Sequence, residues 1–328
     1  MDIQLWQWLL TIGVAAAVLI FDVVMIARRP HVPSTREVSV TLLVYIGAAI
    51  AFGVWVWVSH GGQLAGEFFA GWLTEYSLSV DNLFIFLLIM SKFAVPKAYQ
   101  QTALMIGIII AIVLRGIFIA LGAAAINQFS WVFYIFGAFL IYTAIKLASE
   151  GESDDDEFEE NRFLKFVERR LPATKEWNSN KLFTVENGKR LITPMFIVIL
   201  ALGTTDLLFA LDSIPAIYGL TKEPYLVLTA NLFALMGLRQ LYFLLGGLLQ
   251  KLVYLSIGLA VLLAFIGVKL ILHALHENEL PFINGGHHVS VPEIPISVSL
   301  GAIVVILGVT TVASLWKTKR DERLGIDA

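Results

Sequence analysis

The stretch LTEYSLSVDNLFIFLLIMSKF, residues 73–93, places Glu75, Asp81 and Asn82 in a run that is otherwise as apolar as the interior of a lipid bilayer. Charged side chains inside a membrane helix are costly, so they are rare and usually have a partner or a function. This segment therefore predicts a membrane-spanning helix that carries part of a polar site.

The composition of the whole chain is typical of a membrane protein. Of its 328 residues, 58% are hydrophobic and 15% are charged, and the mean hydropathy is +0.78. Windows long enough to cross a hydrocarbon core of about 30 Å recur along the sequence, at 7–27, 39–59, 68–91, 102–124, 129–148, 194–219, 225–249, 252–273 and 294–316. The expected fold is an all-α, polytopic membrane helical bundle of about nine transmembrane helices.

Basic residues are distributed unevenly among the predicted loops. If the N-terminus is outside, 18 of the 23 Lys and Arg lie on the cytoplasmic side, Lys222 lies outside, and the others fall inside helices. Cytoplasmic loops are enriched in basic residues. The distribution therefore predicts an outside N-terminus and a cytoplasmic C-terminus.

Two parts of the chain share a polar pattern. Glu75 precedes Asp81 by six residues, and Asp206 precedes Asp212 by six. Each pair is followed by an arginine inside a helix, in the phrases IVLRGIF and MGLRQLY, and then by a lysine phrase, TAIKL or IGVKL. Chance similarity between apolar helices is the alternative explanation. Each unit has three helices, an odd number, so two copies would be inserted in opposite orientations, which is an inverted-topology repeat typical of secondary transporters.

The predicted organisation has five parts. They are an N-terminal two-helix extension at 1–67, a first three-helix repeat at 68–148, a cytoplasmic acidic and basic loop at 149–193, a second three-helix repeat at 194–273, and an outer loop, ninth helix and cytoplasmic tail at 274–328. An inverted repeat would bring the four carboxylates together near the bilayer midplane. Positions six apart differ by about 120° on a regular helix, so a local break is expected to help them meet. In the second unit Pro215 leaves a carbonyl beside Asp212 without its donor, and in the first unit Ser77 and Ser79 are expected to bend the helix or to supply hydroxyls.

Four carboxylates in one membrane site need neutralising partners, which are protons, arginine or a metal ion. The chain has no cysteine, and no histidine lies in these segments. Oxygen-only coordination favours a hard divalent cation, Mn²⁺, Ca²⁺ or Mg²⁺, over Zn²⁺ or Cu⁺. The structural alternative for each acid is an ion pair across the bundle. The predicted metal ligands are Glu75, Asp81, Asp206, Asp212, Asn82 and Ser213, and the candidates for a supporting or gating role are Arg115, Arg239, Asn231 and Asp22.

Two loops carry further polar residues. The central loop begins with EGESDDDEFEEN, which is typical of a solvated linker, and continues with RFLKFVERR, which predicts a short amphipathic helix at the inner membrane surface. A regulatory divalent-ion sensor is the alternative. The outer loop holds or adjoins four histidines, and both an ordinary polar loop and an external metal relay stay open there.

Several segments resemble the TerC family of bacterial and plastid membrane proteins, including its Alx branch. They include FDVVMIARR, EYSLSVDNLFIF, FAVP, IVLRGIFI, YIFGAFLIYTAIK, ALGTTDLLFALDSIPAIYGLT and LTANLFALMGLRQLYFLL, and together they span nearly the whole chain. The resemblance implies a protein of the bacterial cytoplasmic membrane, historically tied to tellurite resistance and associated with efflux of manganese and, in some members, calcium. The family's acidic motif residues correspond to Glu75, Asp81, Asp206 and Asp212, with Asn82 and Ser213 beside them.

The functional hypothesis is export of Mn²⁺, or alternatively Ca²⁺, by exchange with protons, without an organic cofactor, a nucleic-acid partner or an enzymatic activity. One alternative is a non-transporting accessory protein that assists metalation or secretion of partner proteins. A remote alternative is an intramembrane aspartyl protease using Asp206 and Asp212, whose contexts LGTTD and FALDS do not match such enzymes.

Overall fold

The computed structural model describes residues 3–28, 33–129, 131–150, 177, 181–186, 189–245, 253–278, 280–281 and 283–324. Within these ranges, nine helices are long and apolar enough to cross a membrane. They are α1 (Leu5–Arg28), α2 (Thr35–His60), α3 (Gly62–Lys92), α4 (Lys97–Gln128), α5 (Val132–Glu150), α6 (Pro194–Tyr218), α7 (Pro224–Leu245), α8 (Leu255–His276) and α9 (Ile296–Leu324). Each overlaps one of the apolar windows of the sequence, so the prediction of an all-α polytopic bundle is confirmed.

A short hairpin precedes α6. Strands β1 (Phe183–Glu186) and β2 (Lys189–Ile192) pair in antiparallel fashion, with Phe183 opposite Ile192. The chain then passes directly into α6, whose N-terminus is capped by the Thr193 side chain accepting from the backbone of Phe196. The acidic run and the predicted amphipathic helix, at 151–170, lie outside the described residues.

The helices differ greatly in how much of their surface is covered. Within the membrane-crossing windows, 72% of α7, 60% of α3 and 59% of α6 is buried, against 6% of α1 and 11% of α9. The first and last helices therefore present most of their apolar surface to lipid. The interior of the bundle is formed mainly by α3, α6 and α7, so polar groups held away from both lipid and water are expected on these helices or facing them.

The first helix of each predicted repeat packs on the second helix of the other repeat, and the two third helices pack together. Helix α3 packs on α7 and helix α4 packs on α6, while α5 and α8 pack on each other. Glycines allow close approach in these pairs, because a Cβ atom at Gly137 would lie 2.9 Å from the carbonyl oxygen of Gly267. Such pairing is what two units related by a two-fold axis would give, and the inverted relation between them stays a prediction.

The helices that carry the acids run without interruption. Helix α3 is continuous from Gly62 to Lys92, and α6 is continuous across Pro215. The expected break is therefore absent. Pro215 lies in the last turn of α6, and its own carbonyl still accepts a hydrogen bond from the backbone of Gly219 at 2.9 Å. Losing one amide donor so close to the end of a helix does not divide it.

Candidate cation site in the bundle core

A buried arginine organises the polar core. Arg115 lies near the middle of α4 and is 1% exposed. Its Nε and Nη2 donate to the two carboxylate oxygens of Asp206, on α6, over 3.0 and 3.1 Å. Bidentate pairing of this kind is the strongest geometry available to an arginine and a carboxylate. Asp206 is held in one orientation as a result.

The remaining terminal nitrogen of Arg115 joins three more groups. Nη1 donates to Oδ1 of Asn231, on α7, over 2.9 Å and to Oγ of Ser213 over 3.2 Å. It also contacts Oε1 of Glu75, on α3. We call these five residues, which come from four helices, the Arg115 cluster; its members are Arg115, Glu75, Asp206, Ser213 and Asn231.

The Arg115 cluster contains more negative charge than its guanidinium can neutralise. Two carboxylates face one guanidinium, so the cluster carries a net charge of −1 when both are ionised, and Glu75 and Asp206 are only 0% and 1% exposed. Although Glu75 touches Nη1 of Arg115, neither of its carboxylate oxygens has a hydrogen-bond partner among the described residues. An uncompensated buried charge is strongly unfavourable. The cluster is therefore suited to accept a further positive charge.

Unpartnered polar atoms continue along α3 beside Glu75. In the described part of the chain, buried side-chain atoms of Trp72, Thr74, Tyr76 and Ser79 also have no hydrogen-bond partner. Proteins pair nearly all buried polar groups, with protein atoms or with ordered water. A run of unpaired groups within two turns therefore indicates a segment that meets water or a polar ligand. Ser79 was one of the hydroxyls that the sequence predicted for this role.

The second acid of α6 has a different neighbour. Oδ1 of Asp212 accepts a hydrogen bond from the hydroxyl of Thr143, on α5, over 3.0 Å. Because α6 is unbroken, Asp206 and Asp212 stay about 120° apart around the helix. The prediction that four carboxylates meet at one point is therefore not met by the described side chains, which contain no metal-binding group of three or more His, Asp or Glu. The Asp81 side chain lies outside them, and Asn82 is buried.

Arg239, the predicted counterpart of Arg115, belongs to another cluster. Its Nη2 lies 3.2 Å from Oδ2 of Asp22, on α1, and the hydroxyl of Tyr45, on α2, donates to the same oxygen over 2.8 Å. We call these three residues the Arg239 cluster. The Arg239 cluster links α1, α2 and α7 near the C-terminal ends of α1 and α7. Arg239 and Asp22 therefore hold helices together and do not join the Arg115 cluster.

Polar residues at the opposite end hold the loop before α9. Nζ of Lys222 lies 2.8 Å from both carboxylate oxygens of Glu277, and His273 and His276 lie 3.3 and 3.5 Å from Glu277 and Glu293. Partial burial acts to raise the pKa of Glu277, but the bond to Lys222 and the nearby positive groups outweigh it, and the pKa is lowered. These contacts hold the loop by ion pairs. The external metal relay that the histidines suggested stays a prediction.

From the sequence alone, Asn231 is given too little weight and Thr143 is missed. Asn231 was placed only among the candidates for a supporting or gating role, and the first repeat has Gly107 at the equivalent position, yet the amide oxygen of Asn231 accepts a hydrogen bond from Arg115. The feature that indicates its role is an amide side chain inside the otherwise largely apolar segment LTANLFALMGLR. Thr143 gave no signal, because threonine is common in helices and usually bonds to a carbonyl of its own helix.

Comparison with known proteins places this architecture among membrane proteins of bacteria. The model of the integral membrane protein TerC family matches residues 60–322. An uncharacterized membrane protein of Mycobacterium tuberculosis is 48% identical over 315 residues, which cover 95% of this chain and 79% of that protein. A putative membrane-bound redox modulator, Alx, of Escherichia coli is 35% identical over 319 residues, covering 94% of each. No solved structure matches the chain significantly.

Proposed function

This chain belongs to the integral membrane protein TerC family, and from that premise we propose that it exports divalent metal cations, Mn²⁺ above all, from the bacterial cytoplasm. The protein is a multi-pass membrane protein. In the proposed arrangement it lies in the cytoplasmic membrane with its N-terminus outside, and the metal ion crosses at the Arg115 cluster. Protons move in the opposite direction.

The Arg115 cluster is the observation that carries this proposal. It combines two fully buried carboxylates, a neutral hydroxyl and a neutral amide oxygen in the middle of the bundle. Hard divalent cations prefer such oxygen ligands. The carboxylates come from α3 and α6, one from each predicted repeat, and secondary transporters place their substrate site between repeats, near the midplane. Asp81, Asn82 and Asp212 would serve neighbouring positions along the same path.

Coupling to protons follows from the energetics of export. Moving a doubly charged ion outward against an inside-negative potential of 100 mV costs about 4.6 kcal/mol, at about 2.3 kcal/mol per charge. A chemical gradient alone would have to exceed roughly 10³-fold to supply this. Inward movement of protons supplies it when the carboxylates that release the metal ion bind protons in its place.

The contacts of the acids give no support to the protease alternative. Catalytic aspartates of that type share a proton across a short distance. Here both oxygens of Asp206 are bonded to Arg115, whereas Asp212 is bonded to Thr143. Some relatives carry the name of putative redox modulator, but this chain has no cysteine, so thiol exchange is not available to it.

Uptake of Mn²⁺ into inside-out membrane vesicles tests the proposal. We expect the wild-type protein to accumulate Mn²⁺ while the vesicle lumen becomes more alkaline. Glu75→Gln and Asp206→Asn should each lower the initial rate at least ten-fold, because each removes one charge that holds the ion. Glu293→Gln, which changes an exposed outer carboxylate, is the matched control. Parallel assays with Ca²⁺ and Mg²⁺ define selectivity.

The outcomes separate the parts of the proposal. Normal transport by both core variants would show that the ion crosses elsewhere. Transport of Mn²⁺ without any change in luminal pH would remove only the proton coupling. A wild-type protein that moves no ion, but copurifies with one partner, would favour the accessory role.

A further inference from the structure

The site proposed for the metal ion already contains a cation. Around the guanidinium of Arg115 lie five oxygen atoms, contributed by Glu75, Asp206, Ser213 and Asn231. Carboxylate, hydroxyl and amide oxygens are also the ligands of hard divalent ions. Three of these four residues are the predicted metal ligands Glu75, Asp206 and Ser213. The arginine and a metal ion at this position would therefore use the same atoms.

The acceptors outnumber the hydrogens that Arg115 can offer at this point. Nη1 carries two hydrogens but faces three oxygens, those of Asn231, Ser213 and Glu75. Glu75, whose side chain is 0% exposed, contacts Nη1 without a hydrogen bond of normal geometry. A metal ion that binds several oxygens at once would satisfy the same set more completely.

Charge makes the two cations mutually exclusive. With Arg115 in place, the Glu75 and Asp206 carboxylates leave a net charge of −1. Adding a divalent ion beside the guanidinium would give +1 and put like charges in contact inside a medium that screens them poorly. If the divalent ion replaces the guanidinium, the two carboxylates are neutralised. The displaced guanidinium keeps its charge, so it needs polar partners away from the metal ion.

A neutral partner of Arg115 lies beside the carboxylates. Asn231, on α7, accepts a hydrogen bond from Nη1 over 2.9 Å. It also lines a small cleft between α4 and α7 whose other walls, apart from Arg115, are apolar. A guanidinium that gives up the carboxylates can therefore keep its bond to Asn231.

We propose that Arg115 is a tethered counter-cation, which pairs with the carboxylates of Glu75 and Asp206 after their protons have left and before the metal ion binds, and is then displaced by the transported metal ion. This inference rests on the proposed function. Its consequence is that Arg115 weakens metal binding and speeds metal release, because it competes for the same oxygens. An arginine that merely positions the two acids would have the opposite effect and strengthen binding.

Equilibrium binding of Mn²⁺ to the purified full-length protein distinguishes these roles by sign. For Arg115→Gln we expect a Kd at least five-fold lower than that of the wild type, together with a lower KM and a lower maximal rate in inside-out vesicles, because release is slower. The matched control is Arg239→Gln, which removes the equivalent arginine of the other unit and should leave the Kd within two-fold. A Kd for Arg115→Gln that is unchanged or higher overturns the proposal.

A second variant keeps the test decisive if Arg115→Gln does not fold. Arg115→Lys keeps the charge but loses the bidentate bond, so it should compete less well and lower the Kd in the same direction. A Kd for Arg115→Lys that is unchanged or higher contradicts the displacement. Absence of saturable Mn²⁺ binding by the wild type would instead refute the proposed function, and with it the inference.

Discussion

At the scale of single residues, the shape of the guanidinium explains how one side chain serves two acids and two neutral groups. Arginine carries five N–H donors in a fixed plane. Nε and Nη2 are used by Asp206, while Nη1 faces Asn231, Ser213 and Glu75. A lysine would provide a single charged point and no bidentate bond. The side-chain type at position 115 therefore matters beyond its charge.

The hydrogen bond from Thr143 to Asp212 allows a prediction at the same scale. Thr143→Val keeps the shape of the side chain but removes the hydroxyl that donates to Oδ1 of Asp212 over 3.0 Å. A buried acceptor that loses its donor typically costs about 1–3 kcal/mol. We expect the free energy of unfolding in mixed detergent micelles to fall by about 1.5 kcal/mol.

The matched control is Thr311→Val in α9. The hydroxyl of Thr311 is exposed and bonds only to the carbonyl of Leu307 in its own helix, so its removal should change the free energy of unfolding by less than about 0.5 kcal/mol. Equal losses for both variants would mean that the Asp212 bond contributes nothing specific. Combining Thr143→Val with Asp212→Asn should give less than the sum of the two effects, because both remove the same bond.

At the scale of helices, glycines set the distance between α5 and α8. A Cβ atom at Gly267 would lie 2.9 Å from the carbonyl oxygen of Gly137 and 2.9 Å from Cγ1 of Ile141. Small residues of this kind let membrane helices approach closely, where packing rather than hydrophobic exclusion holds them together. Helix α5 carries Thr143, so the same contact also positions the donor that Asp212 uses.

Gly267→Ala is therefore expected to destabilise the protein. The added methyl group meets backbone, which cannot move aside locally, and overpacking of this kind costs about 1–3 kcal/mol. Gly47→Ala in α2 is the control, since a Cβ atom there has nothing within 4 Å, and alanine forms helices better than glycine. Thermal unfolding in detergent should show a lower midpoint for Gly267→Ala only. Equal midpoints would mean that α5 and α8 accommodate the added methyl group without any loss of stability.

At the scale of the whole molecule, the sequence predicts the helices more completely than the site. Apolar length alone marks each of the nine crossing helices in the described residues, because a lipid environment allows few alternatives to a helix. The side-chain contacts depend on how each helix is rotated against its neighbours. That rotation places Asp206 and Asp212 on different neighbours and brings Asn231 to Arg115, and a single sequence does not specify it.

The orientation of the whole molecule in the membrane is a prediction that the chain makes easy to test, because it contains no cysteine. Each introduced cysteine is then the only thiol to be labelled. Ser290→Cys lies in the exposed loop before α9, and Lys97→Cys lies at the exposed start of α4. The excess of basic residues in alternate loops predicts that a membrane-impermeant maleimide labels Ser290→Cys in intact cells, whereas it labels Lys97→Cys only after the membrane is permeabilised. Labelling in the reverse order would contradict the predicted orientation, because the Arg239 cluster would then face the outside and the ion-paired loop of Lys222 and Glu277 would face the cytoplasm.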